Sequence, residues 1–122
     1  MSHSWKEKFA DAFRGVREAV GAGSSFVVHL VIAIAVLVAA AILRMDSVQW
    51  CILLLCIAGV LAAEMFNSAL ELLARAITLE ENSYIHDALD IAAGAVLTAA
   101  FGSVAVGIIL FGHRAGQLFR WW

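Results

Sequence analysis

Three long apolar stretches constrain the fold of this chain more than any other feature of its sequence. They cover about residues 24–43, 48–77 and 88–111. Each is as long as the roughly 20 residues that an α-helix needs to cross a hydrocarbon core about 30 Å thick. Only helices and closed barrels cross such a core, and these stretches lack the alternation of barrel strands. They therefore predict three transmembrane helices.

The composition excludes several classes of protein. Of the 122 residues, 63% are hydrophobic and 15% are charged, whereas a soluble domain is about half apolar and about a quarter charged. This bias argues against a soluble enzyme and against a disordered chain. The net charge of −2 and the absence of a long basic stretch give no footprint for nucleic acid. We expect one all-α integral membrane domain over residues 1–122, surrounded by membrane lipids.

The segment before the first stretch has the pattern of an amphipathic helix over about residues 4–20. Ser4 and Glu7 have the spacing of a capping box, which predicts where this helix begins. We expect the helix to lie in the membrane interface; the alternative is that it packs on the rest of the protein. Residues 21–25 are glycine, alanine and serine, which predicts a flexible turn into the membrane. The apolar residues that share one face of the helix are Trp5, Phe9, Ala12, Phe13, Val16 and Val20.

The distribution of lysine and arginine predicts the orientation of the chain. Three spans place the N-terminal segment and the second loop on one side of the membrane, and the first loop and the C-terminal tail on the other. Because cytoplasmic loops carry more lysine and arginine, we expect a cytoplasmic N-terminus. The basic residues on the predicted cytoplasmic side are Lys6, Lys8, Arg14, Arg17 and Arg75. Those on the other side are Arg44, Arg114 and Arg120.

The second stretch carries polar residues on one side of its predicted helix. Around the helix axis, Asn67 lies about 60° from Glu64, Glu71 about 20°, and Ser68 about 40° in the opposite sense. A carboxylate inside a span costs at least about 2.5–3.5 kcal/mol on insertion scales, so contact with lipid is disfavoured. We expect Glu64 and Glu71 to face the protein interior, with Asp90 close by. The stripe could be a polar seam between helices, an ion pathway, or a site for a hard divalent cation such as Mg²⁺.

Residues 63–71, Ala-Glu-Met-Phe-Asn-Ser-Ala-Leu-Glu, resemble the signature of the bacterial diacylglycerol kinase and undecaprenol kinase family. Residues 90–96 resemble the second signature of that family, residues 12–19 its amphipathic N-terminal helix, and residues 26–29 the start of its first span. The resemblance implies a homotrimer in the bacterial inner membrane, with a surface helix and three spans in each subunit. It also implies transfer of the γ-phosphoryl group of MgATP to a lipid alcohol, such as diacylglycerol or undecaprenol, at the cytoplasmic interface.

The roles of individual residues follow from the resemblance alone. By position, Glu64 is implied to be the general base on the lipid hydroxyl, and Glu71 to hold Mg²⁺. Asp90 is implied to support the catalytic site. Such a division suits phosphoryl transfer, which depends on alignment and charge neutralisation more than on covalent chemistry. The residues implied to bind the ATP co-substrate are Asn67, Arg14 and Arg17.

Three charged positions of the family differ in this chain. Leu89 stands where the family usually has lysine, Gly23 where it has glutamate, and Arg75 where it has aspartate. Arg75 could supply the cation that Leu89 does not. Two hypotheses follow: a membrane lipid kinase, or a catalytically silent trimer that binds lipid or helps another membrane protein assemble.

A few other residues within or near the spans lie outside these roles. The histidines are expected to be hydrogen-bonded or interfacial rather than metal ligands; they are His29, His86 and His113. Three glycines of the third span are expected to allow close helix packing; they are Gly94, Gly102 and Gly107.

Overall fold

A computed structural model describes residues 4–22, 24–77 and 80–119 of the chain. The described residues form four α-helices, with no strand among them. Three of the helices are long and apolar enough to cross a membrane, which confirms the predicted fold class. The helices are α1 (Trp5–Ala22), α2 (Ser24–Ile42), α3 (Ser47–Ile77) and α4 (Ser83–Leu118).

Helix α1 begins where its capping pattern predicts. The Glu7 backbone N–H donates to Ser4 Oγ at 3.2 Å. The apolar face of α1 is exposed, with 73% of Phe13 accessible, and Ala19 is the one residue of the described part of α1 that is buried. The alternative in which this face packs on the same chain is therefore wrong, and the exposed face suits the membrane interface.

The predicted turn at residues 21–25 is not an extended loop. Helix α1 continues through Ala22 and α2 already begins at Ser24, so only Gly23 separates them, and it lies outside the described residues. Small residues permit turns but do not require them, and here helical hydrogen bonding continues on both sides. Helix α1 contacts both α2 and α3.

Helix α4 is longer than the predicted span of residues 88–111. It starts at Ser83 because Asn82 caps it, accepting hydrogen bonds from the backbone N–H groups of Tyr84 and Ile85. Its 36 residues reach about 54 Å at about 1.5 Å per residue, well beyond a hydrocarbon core of about 30 Å. Part of α4 therefore extends beyond the thickness of a hydrocarbon core.

The connection between α2 and α3 is tightly hydrogen-bonded. Arg44 adopts a left-handed conformation with φ 54°, and the Met45 N–H donates to the Ala40 carbonyl at 3.1 Å, which closes α2 in a Schellman motif. Asp46 and Gln49 form a reciprocal capping box at the start of α3, with hydrogen bonds of 2.8 and 2.9 Å. This turn fixes the antiparallel entry of α3 beside α2.

Side chains of α2, α3 and the turn between them form the core next to this connection. Ala40, Met45 and Leu53 are buried together, and Arg114 of α4 donates from Nε to the Leu43 carbonyl at 2.8 Å. Helix α3 packs most extensively on α4, where Ser103 Oγ donates to the Cys56 carbonyl at 3.4 Å.

Three of the five glycines of α4 do not serve the packing predicted for them within this chain. A Cβ atom added at any of them would meet no neighbouring atom within 4 Å. Gly94 and Gly102 are exposed on α4, and Gly107 lines a cavity of about 280 Å³ between α2, α3 and α4, which leaves its surroundings open. The glycines are Gly94, Gly102 and Gly107.

Candidate functional site

A polar cavity of about 320 Å³ lies between the start of α2 and the second half of α3. It contains the whole polar stripe predicted from the helical spacing. Ser25 and Phe26 of α2 complete its wall. The side chain of Arg75 lies at the end of the cavity nearest the C-terminus of α3. The lining residues are Ser25, Phe26, Glu64, Asn67, Ser68, Glu71, Leu72 and Arg75.

Glu64 is the buried carboxylate of this cavity. Only 4% of the residue is exposed, and its Oε1 atom lies 2.8 Å from Nδ1 of His29 on α2. The same Nδ1 atom lies 3.0 Å from the Ser25 carbonyl oxygen. Since a carboxylate and a carbonyl are both acceptors, this geometry places the ring hydrogen on Nδ1. The predicted interior position of Glu64 is confirmed, and a histidine partner accompanies it.

Asn67 and Glu71 form a second polar pair toward the end of α3. Asn67 donates from Nδ2 to Glu71 Oε1 at 2.9 Å, while Asn67 Oδ1 is buried without a hydrogen-bond partner among the described residues. Glu71 lines the cavity but is exposed, so the expectation of an interior position is wrong for it within one chain. It lies nearly two turns beyond Glu64, where the cavity opens. An unpartnered buried oxygen beside a carboxylate fits a bound water or a hard cation such as Mg²⁺.

An outer cavity of about 380 Å³ continues from this pair toward α4. Glu71 and Arg75 line both cavities, so they stand at the boundary between them. Within the described residues, no carboxylate forms an ion pair with Arg75. Leu89 of α4 lines the outer cavity with an apolar side chain. Arg75 is thus a cation in the wall of a cavity that Leu89 also lines.

Asp90 does not share these cavities. It is 70% exposed at the side chain and lies 3.3 Å from Nδ1 of His86. It neighbours Leu89, but successive helix residues differ by about 100°, so Asp90 faces a different direction. Within one chain it is therefore not grouped with Glu64, contrary to the expectation that it would be close.

The arginines of α1 are also separate from the cavities. Arg14 and Arg17 are both exposed, and Arg14 pairs with Asp11 at 2.6 Å. Neither lines the polar or the outer cavity. Gly23, the position at which the resemblance implies glutamate, lies outside the described residues.

His29 is the site residue that sequence analysis did not identify. It also lines an apolar cavity of about 280 Å³ enclosed by α2, α3 and α4, so the contact between His29 and Glu64 lies where the apolar and polar cavities meet. A signal was present, because His29 is the one ionisable residue in the first apolar stretch. Such a residue usually faces a polar partner within the membrane.

Comparison with known proteins gives a consistent result. The sequence pattern of the prokaryotic diacylglycerol kinase family matches residues 10–111. The chain is 31% identical over 105 residues to undecaprenol kinase of Bacillus subtilis, covering 86% of this chain and 85% of that protein. It is 34% identical over 103 residues to diacylglycerol kinase of Synechocystis sp., covering 81% of this chain and 57% of that protein. No solved structure matches the chain.

Proposed function

Because the chain belongs to the prokaryotic diacylglycerol kinase family, we propose that it phosphorylates a lipid alcohol, such as diacylglycerol or undecaprenol, with ATP as the phosphoryl donor. The observation that carries the proposal is Glu64. A carboxylate inside a span is costly, yet this one is buried, hydrogen-bonded to His29 and located at the inner end of a polar cavity.

Glu64 acts as the general base in this proposal. It accepts the proton of the lipid hydroxyl while the hydroxyl oxygen attacks the γ-phosphorus, and the bond from phosphorus to the β,γ-bridging oxygen breaks, releasing ADP. The two cavities that meet at Glu64 and His29 support this arrangement. The lipid chain reaches Glu64 from the apolar side, and the phosphates reach it from the polar side. Alignment of this kind supplies much of the catalysis in phosphoryl transfer.

Charge neutralisation falls to the residues near the cavity mouth. Glu71 and the unpartnered Asn67 oxygen would hold Mg²⁺, which when bound offsets charge on the phosphates. The guanidinium of Arg75 has no ion pair among the described residues, and Arg75 lines both the polar and the outer cavity, as Glu71 does. It replaces the cation absent at Leu89. Arg14 and Arg17 add positive charge for the nucleotide from α1 if this side is cytoplasmic.

The proposed assembly is a homotrimer with the N-terminus in the cytoplasm of a bacterial inner membrane. Asp90 supports the need for a second subunit, because it lies outside the cavity of its own chain. We expect it to complete the site of a neighbouring subunit. Mixing inactive Glu64→Gln subunits with inactive Asp90→Asn subunits should then restore activity, since some interfaces combine an intact Glu64 with an intact Asp90. Sites confined to one subunit would show no recovery.

The decisive experiment is a transfer assay with γ-labelled ATP, Mg²⁺ and the purified full chain in detergent. Diacylglycerol, undecaprenol and other lipid alcohols are offered in parallel, and labelled lipid is counted. Transfer that is lost in Glu64→Gln and kept in Glu81→Gln supports the proposal; Glu81 is an exposed residue that lines neither polar cavity. Absence of transfer to every lipid alcohol would overturn it and favour the silent trimer.

A further inference from the structure

His29 has no function in the mechanism above beyond its contact with Glu64. We propose that His29 is a positioning residue, which holds the Glu64 carboxylate in the orientation that accepts the proton of the lipid hydroxyl. The inference rests on the proposed function. It adds a residue from α2 to a site whose other polar members on α3 were identified from their spacing.

The geometry assigns a direction to this hydrogen bond. The Ser25 carbonyl, one helical turn before His29, lies 3.0 Å from Nδ1, and Glu64 Oε1 lies 2.8 Å from the same atom. The Nδ1 hydrogen is therefore shared between a backbone acceptor of α2 and the carboxylate of α3. Anchoring to its own helix limits rotation of the ring, so the donor stays at one place relative to Glu64.

The two carboxylate oxygens of Glu64 therefore have different hydrogen-bond partners. Oε1 is bound to His29, which leaves Oε2 to accept the substrate proton. Without His29, the carboxylate could rotate among several side-chain conformations and hydrogen-bond with Ser68 or Asn67 along the same cavity wall. A misplacement of about 1 Å at a reacting group can lower the rate about 100-fold.

A simple structural role for the pair is the competing explanation, since a hydrogen bond between α2 and α3 also holds the helices together. Two amide variants separate the explanations. In His29→Asn the side-chain N–H lies the same number of bonds from Cα as Nδ1, so the donor is retained. In His29→Gln it lies one bond further, so polarity is kept but the donor is displaced.

Kinetics of the full trimer provide the test. We expect kcat of His29→Gln to fall about 100-fold with an unchanged KM for ATP, and kcat of His29→Asn to stay within a few-fold of the parent. His113→Leu, some 50 residues away in sequence from Glu64 and on the far part of α4, should match the parent. Equal kcat values for parent and His29→Gln would overturn the inference while leaving the kinase proposal intact.

Nitrogen NMR of chain labelled at histidine tests the same geometry without any turnover. We expect His29 to carry its hydrogen on Nδ1 in the parent and to change its Nδ1 signal in Glu64→Leu. A His29 signal that is indifferent to Glu64→Leu would overturn the inference even if the enzyme is active. A parent that holds the expected tautomer but transfers no phosphate would overturn the proposed function and, with it, the catalytic meaning of this contact.

Discussion

The polar groups at the two ends of α3 are used differently. At the end near the C-terminus of α2, the polar groups satisfy one another: Asp46 and Gln49 exchange hydrogen bonds, and Arg114 donates to the carbonyl of Leu43, just after α2. At the other end, Glu64 faces a cavity, and the Asn67 oxygen is buried with no partner in the part of the chain that the structure describes.

This difference suggests that one end of α3 contributes to the stability of the fold and the other end to function. Hydrogen bonds that are complete within the chain favour one packing of the helices. An incomplete set costs free energy unless something else binds there. We call the start of α3, at Asp46 and Gln49, the closed end, and the part with Glu64, Asn67 and Glu71 the open end. We expect a ligand, a cation or a second subunit to complete the hydrogen bonding at the open end. Each prediction below tests whether a residue belongs to the closed end or to the open end.

The largest effect is expected at Glu64. Glu64→Gln keeps the shape of the side chain but removes the proton acceptor, so kcat should fall about 10²–10⁴-fold. The proposed trimer should persist at the parent's mass in detergent, because the neutral amide still accepts a hydrogen bond from His29. The assay is labelled phosphate transfer to lipid, with Glu81→Gln as the matched control. Unchanged kcat in Glu64→Gln would contradict the assignment of the base.

A smaller effect is expected at Glu71, at the mouth of the same cavity. Glu71→Gln removes one carboxylate from the proposed cation site, so the Mg²⁺ concentration for half-maximal activity should rise at least about 10-fold. Excess Mg²⁺ should recover part of the rate, because the Asn67 oxygen is still present. A titration of activity with Mg²⁺ measures this. A loss of rate that no Mg²⁺ concentration relieves would assign Glu71 a different role.

The closed and open ends also differ in how far the sequence predicts them. Helical spacing alone places Glu64, Asn67 and Glu71 on one wall, because that relation lies within a single helix. The partnership of Glu64 with His29 joins two helices, and no periodicity in one helix reports which residue faces it from another. The outward direction of Asp90 has the same cause, since it depends on how α4 is rotated against α3.

Local signals predict helix ends better than they predict lateral contacts. The start of α1 follows its capping pattern, and the start of α3 carries a capping box at Asp46 and Gln49 of equal clarity. Hydropathy alone underestimates the length of α4, because it indicates where a helix leaves the membrane and not where the helix ends. Its capping by Asn82 depends on residues beyond the apolar stretch.

A moderate effect on stability, without one on catalysis, is expected at the closed end. Asp46→Ala removes the cap of α3, which costs about 0.5–2 kcal/mol. The midpoint of unfolding in a titration with a denaturing detergent should shift accordingly, while kcat per folded chain is unchanged. Asp46→Asn is the control, since asparagine caps as well as aspartate does. A kcat that falls with Asp46→Ala under fully folded conditions would show that the two ends are coupled.

The smallest effect is expected at Leu89, where the outer cavity has an apolar wall between Glu71, Arg75 and Glu80. Leu89→Lys adds a cation that phosphate oxygens can meet, at a site partly open to solvent, where such a pair contributes about 0.2–1 kcal/mol. The KM for ATP should therefore fall by up to about fivefold, with Leu89→Met, which keeps the apolar wall, behaving as the parent. The new lysine has a competing partner in Glu71, and that pairing would withdraw the carboxylate from Mg²⁺. A raised Mg²⁺ requirement with no gain in ATP affinity would therefore show that this wall faces the carboxylates rather than the nucleotide, and that Arg75 alone supplies the cation of the open end.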